Sequence, residues 1–272
     1  MTICIAAAAG KDHVVVASDR MVTLSIPSTE FEQNLSKTVE ITKNCVAATA
    51  GNALGYTPIH QETLKLLQQD SSTPDTQRIA ELIRRSYVKA RNEKLEQDIL
   101  VKIGLNLKTY YDRNQTISPN IVANVALAMN QYNFNLSILV AGVDSNGPHI
   151  FRVDNPGRIE TFDSIGHCSV GSGELHAIST FIANDYDPNL DLDHVVAMVY
   201  EAKKKSEKAQ GVGEETDICI ICNDGIIKLP DDKMEKLNEF YNKKTEQEKR
   251  SVSETEGLVK TLDIQSIEKN KA

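Results

Sequence analysis

The feature that most constrains this chain is the order of its periodicities. Short β-type runs come first, then a helical block, β-type runs, a second helical block and a last β-type pair. Residues 2–9 and 14–18 read as strands across the tight turn Gly10-Lys11-Asp12. Residues 37–41 and 45–50 form a second such pair, across Thr42-Lys43-Asn44. Helical spacing follows at 53–68, through Leu54, Leu64, Leu66 and Leu67. It resumes at 77 with Ile79, Leu82, Ile83 and Tyr87, behind the cap chemistry of Ser72-Thr73-Pro74-Asp75. A further, mostly helical region spans about 93–131. Strands return at 136–143, 149–153, 158–162 and 168–170, helices at 175–184 and 193–205, and a final hairpin pairs 217–222 with 226–229.

Strands joined by tight turns pair antiparallel. Helices gathered into two blocks between such runs suit two sheets stacked face to face with helices outside. The expectation is an α+β fold, a four-layer α/β/β/α sandwich over residues 1–230, with a helical insertion at about 93–131. From 231 to 272 the composition turns to Lys, Glu, Asn and Ser, which predicts a short helix to about 244 and then a solvated, mobile tail.

Composition narrows the function. A net charge of −8 with pI about 5.3 argues against a nucleic-acid partner, and the absence of Trp removes the best base-stacking side chain. No apolar run reaches the roughly 18 residues a membrane helix needs. The apolar start has no basic flank and is cut at Lys11-Asp12, unlike a signal peptide. Five cysteines without secretory context read as reduced, cytoplasmic thiols. Cys219-Ile-Ile-Cys222 lies in a β-type run, where i and i+3 point to opposite faces, so core packing is expected there. Six scattered histidines offer no metal-ligand spacing, and no P-loop or G-x-S-x-G occurs, so no metal and no cofactor are expected.

Met1 is followed by Thr2, a residue small enough for aminopeptidase removal of the methionine. A chain beginning at Thr2 carries a free α-amine beside a hydroxyl, a base next to a nucleophile. Taken singly, the other candidates are ordinary. Asp19-Arg20 reads as a surface ion pair, Lys37 as a solvated lysine, and Gly51, Gly171 and Gly173 as turn glycines.

Together they are less ordinary. Thr2, VVVASDR (14–20), SKTVEITKNCVAATAGN (36–52), SVGSGE (169–174) and GEETDICIICNDG (213–225) occur in one order. In that order the chain resembles the N-terminal-nucleophile hydrolases, and within them the proteasome β-subunit and the HslV-type peptidase. The resemblance implies that Thr2 Oγ attacks a peptide carbonyl with its own α-amine as base. Lys37 would keep that amine unprotonated, and Asp19 would orient Lys37. The Gly51 N–H would hold the oxyanion, with substrate backbone too close to it for a Cβ. Ser172 would hydrogen-bond the Thr2 amine. Thr49 and Ala53 fall where the family lines its specificity pocket, and Asp217 is a secondary acidic candidate.

Three features depart from the pattern. Asp19 lies one residue further along, Ile3 replaces the usual second threonine, and QGVGEET stands where β-subunits carry an aspartate and a serine. The resemblance implies a cytoplasmic threonine protease acting on peptides or unfolded proteins. It also implies a homo-oligomer, with a ring and an ATP-dependent unfoldase as partners. The alternatives are an amidohydrolase or acyl-transfer enzyme acting on a smaller amide through the same Thr2, and a silent assembly subunit that keeps only the sandwich.

Overall fold

The first hairpin forms where the sequence marks it. Strands β1 (Ile3–Ala9) and β2 (His13–Asp19) turn at Gly10, whose φ of +62° is a conformation glycine adopts without strain. The computed structural model describes residues 2–25, 28–32, 36–70 and 74–260. Two further strands have no counterpart in the sequence pattern: β3 (Met21–Ser25) and β4 (Ser28–Glu32) pair in a small separate ribbon directly after Asp19.

Sheet two begins with β5 (Thr38–Thr42) and β6 (Cys45–Gly51) and continues through β7 (Leu136–Asp144), β8 (Gly147–Asp154) and β9 (Arg158–Thr161), in that spatial order. Sheet one adds β10 (His167–Gly171), β11 (Thr216–Cys222) and β12 (Gly225–Lys228), in the order β10-β1-β2-β11-β12. Every pairing is antiparallel.

Alternation along the strands sends side chains to two different interiors. Cys4, Ala6, Val14 and Val16 meet Val46, Ala48, Leu139 and Ala141 between the sheets. The many alanines there allow close approach of the two layers. Truncating the fully buried Leu139 to alanine in such a layer typically costs about 2–5 kcal/mol. Cys219 belongs to this inter-sheet core, whereas Cys222 is half-buried, and both are free thiols.

The opposite face of sheet two is covered by α1 (Tyr56–Gln69) and α2 (Thr76–Leu95). Ile79, Ile83, Tyr87 and Ala90 repeat at helical spacing and bury against β6, β7 and β8. Asp75 caps α2 by accepting the Arg78 amide, while Ser72 and Thr73 lie outside the described residues. On sheet one, α5 (Glu174–Ala183) and α6 (Leu192–Ser206) supply the fourth layer, with α6 packed on β1 and β2. The α/β/β/α sandwich is therefore present.

The helical insertion begins without a break. After Leu95 the chain makes a π-helical turn (Glu96–Leu100) and a 3-10 turn (Val101–Ile103), which stops at Gly104 in the left-handed region. Then come α3 (Leu107–Arg113), opened by an Asn106/Thr109 capping box, and α4 (Pro119–Gln131), opened by proline. Leu95, Leu100, Tyr110 and Val125 form an apolar cluster of the insertion's own.

Contacts separate the chain into Met1–Lys228 and Leu229–Ala272. Within the second unit, α7 runs Asp231–Lys260 and does not stop near 244. Gly257 is its one glycine and it holds no proline, so no strong helix breaker interrupts its Lys- and Glu-rich sequence. Residues 261–272 lie outside the described residues. Among the described residues no helix is long and apolar enough to cross a membrane.

Candidate active site

Thr2, Asp19 and Lys37 come from three places and meet at one end of the sandwich. Thr2 precedes β1, Asp19 ends β2 and Lys37 directly precedes β5. Ile3 pairs with Gly171 and Cys4 with Ser18, so the hairpin register brings Asp19 back beside Thr2. Thr2 and Asp19 are buried, and only 9% of the Lys37 side chain is exposed.

The Thr2 hydroxyl donates to Asp19 Oδ1, and the Lys37 ammonium donates to Thr2 Oγ. Lys37 Nζ also reaches Asp19 Oδ1 at 2.6 Å. Asp19 thus touches the hydroxyl itself as well as the lysine. A carboxylate with no exposed surface needs its charge balanced and its lone pairs filled. Asp19 has both. Besides Lys37 and Thr2, it accepts the amides of Ile3 (3.0 Å), Met21 (3.3 Å) and Gly213 (3.0 Å). These three amides were missed in the sequence because a backbone donor carries no side-chain signal. Gly213 alone left a trace, as a glycine just before β11.

Gly51 ends β6 with φ +102°. A Cβ there would lie 2.2 Å from the Asn135 carbonyl oxygen, so the chain's own backbone requires the glycine, before any substrate does. The Val143 amide reaches the Asn44 carbonyl and the Asn52 amide reaches the Asn135 carbonyl, which marks even-numbered residues as those bonded to β7. By antiparallel alternation the Gly51 N–H points the other way, past the start of β5 at Thr38. The buried Tyr87 hydroxyl holds the Leu136 carbonyl at 2.8 Å and so ties α2 to this corner.

Thr49 is buried and by alternation lies on the α1–α2 side, with Cys45 and Ala47. Ala53 opens the 3-10 turn before α1, and its side chain lies outside the described residues. Cys4 donates its thiol to the Thr49 carbonyl at 3.3 Å. Burial pushes that thiol up to about 12, so it stays protonated and does not compete as a nucleophile.

Two site residues have partners that the resemblance does not name. Ser172 meets two backbone carbonyls. Its hydroxyl lies 3.3 Å from the Thr2 carbonyl and 3.1 Å from that of Gln210. Next to it, Gly171 at φ +115° closes on the Thr2 carbonyl, where a Cβ would lie 2.2 Å away. Asp217 pairs with Arg20, Oδ1 accepting Nε at 3.0 Å and a terminal nitrogen at 2.6 Å, and does not join the Thr2 cluster. The Asp19-Arg20 pair expected from adjacency is therefore split, each residue having its own partner. Among the described residues no group of three or more His, Cys, Asp or Glu side chains could hold a metal ion.

A four-layer sandwich with a threonine, an aspartate and a lysine joined at one end, together with the family match, defines a protein of the N-terminal-nucleophile superfamily. Within it, the chain belongs to the proteasome subunit family, whose profile matches residues 71–221. That segment starts after Thr2, Asp19, Lys37 and Gly51. Proteasome subunit alpha of Methanopyrus kandleri is 21% identical over 229 residues, covering 84% of this chain and 78% of its own. Proteasome subunit alpha of Methanocaldococcus jannaschii is 24% identical over 232 residues, covering 84% and 74%. Proteasome subunit beta 2 of Staphylothermus marinus is 30% identical over 103 residues, covering 38% and 47%.

Proposed function

We propose that the chain is a threonine-type peptidase that cleaves peptide bonds through an acyl-enzyme on Thr2, exposed by removal of Met1. The observation that carries this reading is the direct contact of the Thr2 hydroxyl with both Asp19 and Lys37. Thr2 Oγ attacks the scissile carbonyl carbon while its proton passes to the freed α-amine. Such an amine, with an ordinary pKa of about 7.7–8.0, takes up protons near neutral pH. Lys37 stabilises negative charge on Oγ, and Asp19 holds the ammonium in place. The Gly51 N–H donates to the oxyanion. The C–N bond then breaks, the α-ammonium protonates the leaving amine, and water attacks the ester with the amine again as base. This releases the acid and restores Thr2.

Peptides or unfolded proteins are the proposed substrates. The proposed setting is a cytoplasmic homo-oligomeric ring served by an ATP-dependent unfoldase. One observation favours a second reading, a silent assembly subunit. The two longest alignments above are to proteins named alpha subunits, and the beta 2 alignment spans 38% of the chain.

Intact mass and N-terminal sequence, before and after a threonine-directed epoxyketone, separate the two. The peptidase reading expects a chain starting at Thr2 that gains one probe mass, and loss of both adduct and turnover in Thr2→Ala. In Lys37→Ala it expects turnover to be lost while the fold remains. A chain that keeps Met1 and forms no adduct favours the silent subunit.

A further inference from the structure

Among the described residues Lys203 is the one lysine whose side chain has no exposed surface, and the proposed chemistry does not use it. It sits in the last turn of α6. Its ammonium donates to Glu207 Oε1 and to the Glu214 carbonyl, each at 2.6 Å. Burial pulls this lysine below its usual range, and Glu207 opposes that pull. Burying a rotamer-rich cation is costly, so the contacts it makes inside matter.

Those contacts lead to the nucleophile. The residue before Glu214 is Gly213, whose amide donates to Asp19 Oδ2 at 3.0 Å. Above the same loop, Glu32 Oε1 accepts the Glu215 amide at 3.1 Å. A Cβ on Gly213 would lie 2.3 Å from Glu32 Oε1 and 3.0 Å from Met21 Cβ, so a side chain there would push Glu32 aside and crowd Met21. At its other end the Gln210 carbonyl faces Ser172 Oγ, while Ser206 on α6 reaches the Gly173 carbonyl at 3.1 Å. The segment QGVGEET, which lacks the aspartate and serine of the resembling family, is thus held from below by Lys203.

We infer that Lys203 is a positioning residue for the Thr2 nucleophile: it clamps the Glu214 carbonyl so that the Gly213 amide meets Asp19. The inference rests on the peptidase reading, because it gives Lys203 a role only if Thr2 reacts. Lys203 touches neither substrate nor the reacting atoms. Its effect passes through one backbone segment and one carboxylate.

The test uses the full-length protein and three variants, read by the epoxyketone modification rate of Thr2, by kcat and KM on a fluorogenic peptide, and by Gly213 amide exchange. Lys203→Met keeps the side-chain length and removes the donor. Expected are roughly tenfold slower modification, a matching fall in kcat at unchanged KM, and faster Gly213 exchange. Gly213→Ala breaks the same link from the other side with α6 untouched, and stands in should Lys203→Met not fold. The double variant should lose no more than the worse single one, since both act through one contact. Lys204→Met is the control. It removes an equal charge, one that pairs with Glu207 Oε2 at 2.7 Å, and should leave all three readouts unchanged.

A folded Lys203→Met with normal modification rate, or losses that add in the double variant, overturns the inference and makes Lys203 a fold staple. A wild-type chain that begins at Thr2 and is inert to the probe overturns the peptidase reading, and the catalytic meaning of Lys203 falls with it. Gly213 exchange would still report whether the clamp exists.

Discussion

Asp19 and Arg20 are neighbours in sequence, yet the ion pairs they enter behave as different kinds of structure. Asp19 has no exposed surface, pairs with Lys37 at 2.6 Å and collects four further donors. One residue on, Arg20 pairs with Asp217 at the same 2.6 Å, but the two side chains are 31% and 23% exposed. Equal distances therefore mark unequal interactions. Water screens the second pair, so its loss costs little. Losing one partner of the first strands a charge where water cannot reach it. Strand alternation sends Asp19 into the sandwich end and Arg20 outward, so a shift of one residue in the first hairpin would exchange their fates.

The largest expected break in this contrast is Asp19→Asn. It leaves Lys37 without its buried counterion, which typically costs about 3–5 kcal/mol of stability. Thr2 turnover should fall by about a thousandfold or more, given how strongly members of a catalytic unit depend on one another. Denaturant titration and peptide hydrolysis read the two effects. Gly51→Ala comes next. The added methyl meets the Asn135 carbonyl and forces φ away from +102°, displacing the N–H proposed for the oxyanion. A loss of about 10²–10³ in kcat is expected, with KM little changed, and equal losses in both would argue against an oxyanion role.

Lys37→Arg sharpens the comparison by keeping charge and changing shape. A planar guanidinium does not replace a point ammonium shared by Thr2 Oγ and Asp19 Oδ1, so at least roughly a tenfold drop in probe reactivity is expected. Asp217→Asn is the counterpart outside the cluster. It should cost less than about 1 kcal/mol and shrink further in high salt. If it matched Asp19→Asn in either assay, exposure would not be what separates the two pairs.

The smallest effect belongs to an ion cluster far from Thr2 in sequence. Burial lowers His149, but Asp163 at 2.7 Å and Asp144 at 3.2 Å outweigh it and hold the imidazole above its ordinary value. A raised folded value stabilises in full below the unfolded pKa of about 6.5 and fades as pH rises through the folded value. His149→Gln should therefore destabilise more at pH 6 than at pH 8, seen as a flatter dependence of the denaturation midpoint on pH.

How much of this was legible in one sequence depends on the range of the interaction that decides it. Local signals are written into neighbouring residues. Gly10 in the first turn, Asp75 capping α2, the Ile79-Ile83-Tyr87 stripe and the alternation that places Cys219 inward and Cys222 aside could all be read from a few positions. The composition of 231–272 signalled a solvated helix but not its reach to Lys260, because nothing local marks where a polar helix without breakers ends. Thr2, Asp19, Lys37 and Gly51 were legible as an ordered set. Tertiary structure alone decided that Ser172 faces a carbonyl, that Arg20 leaves Asp19 for Asp217, and that Asn135 makes Gly51 obligatory. It alone decided, too, that a lysine on α6 and the amide of Gly213 support the buried aspartate. Pattern and turn chemistry act over a few residues, and the sequence determined what they govern. Backbone carbonyls and amides carry no side-chain identity, so where they converge across about 200 residues became visible only once the sheets had stacked.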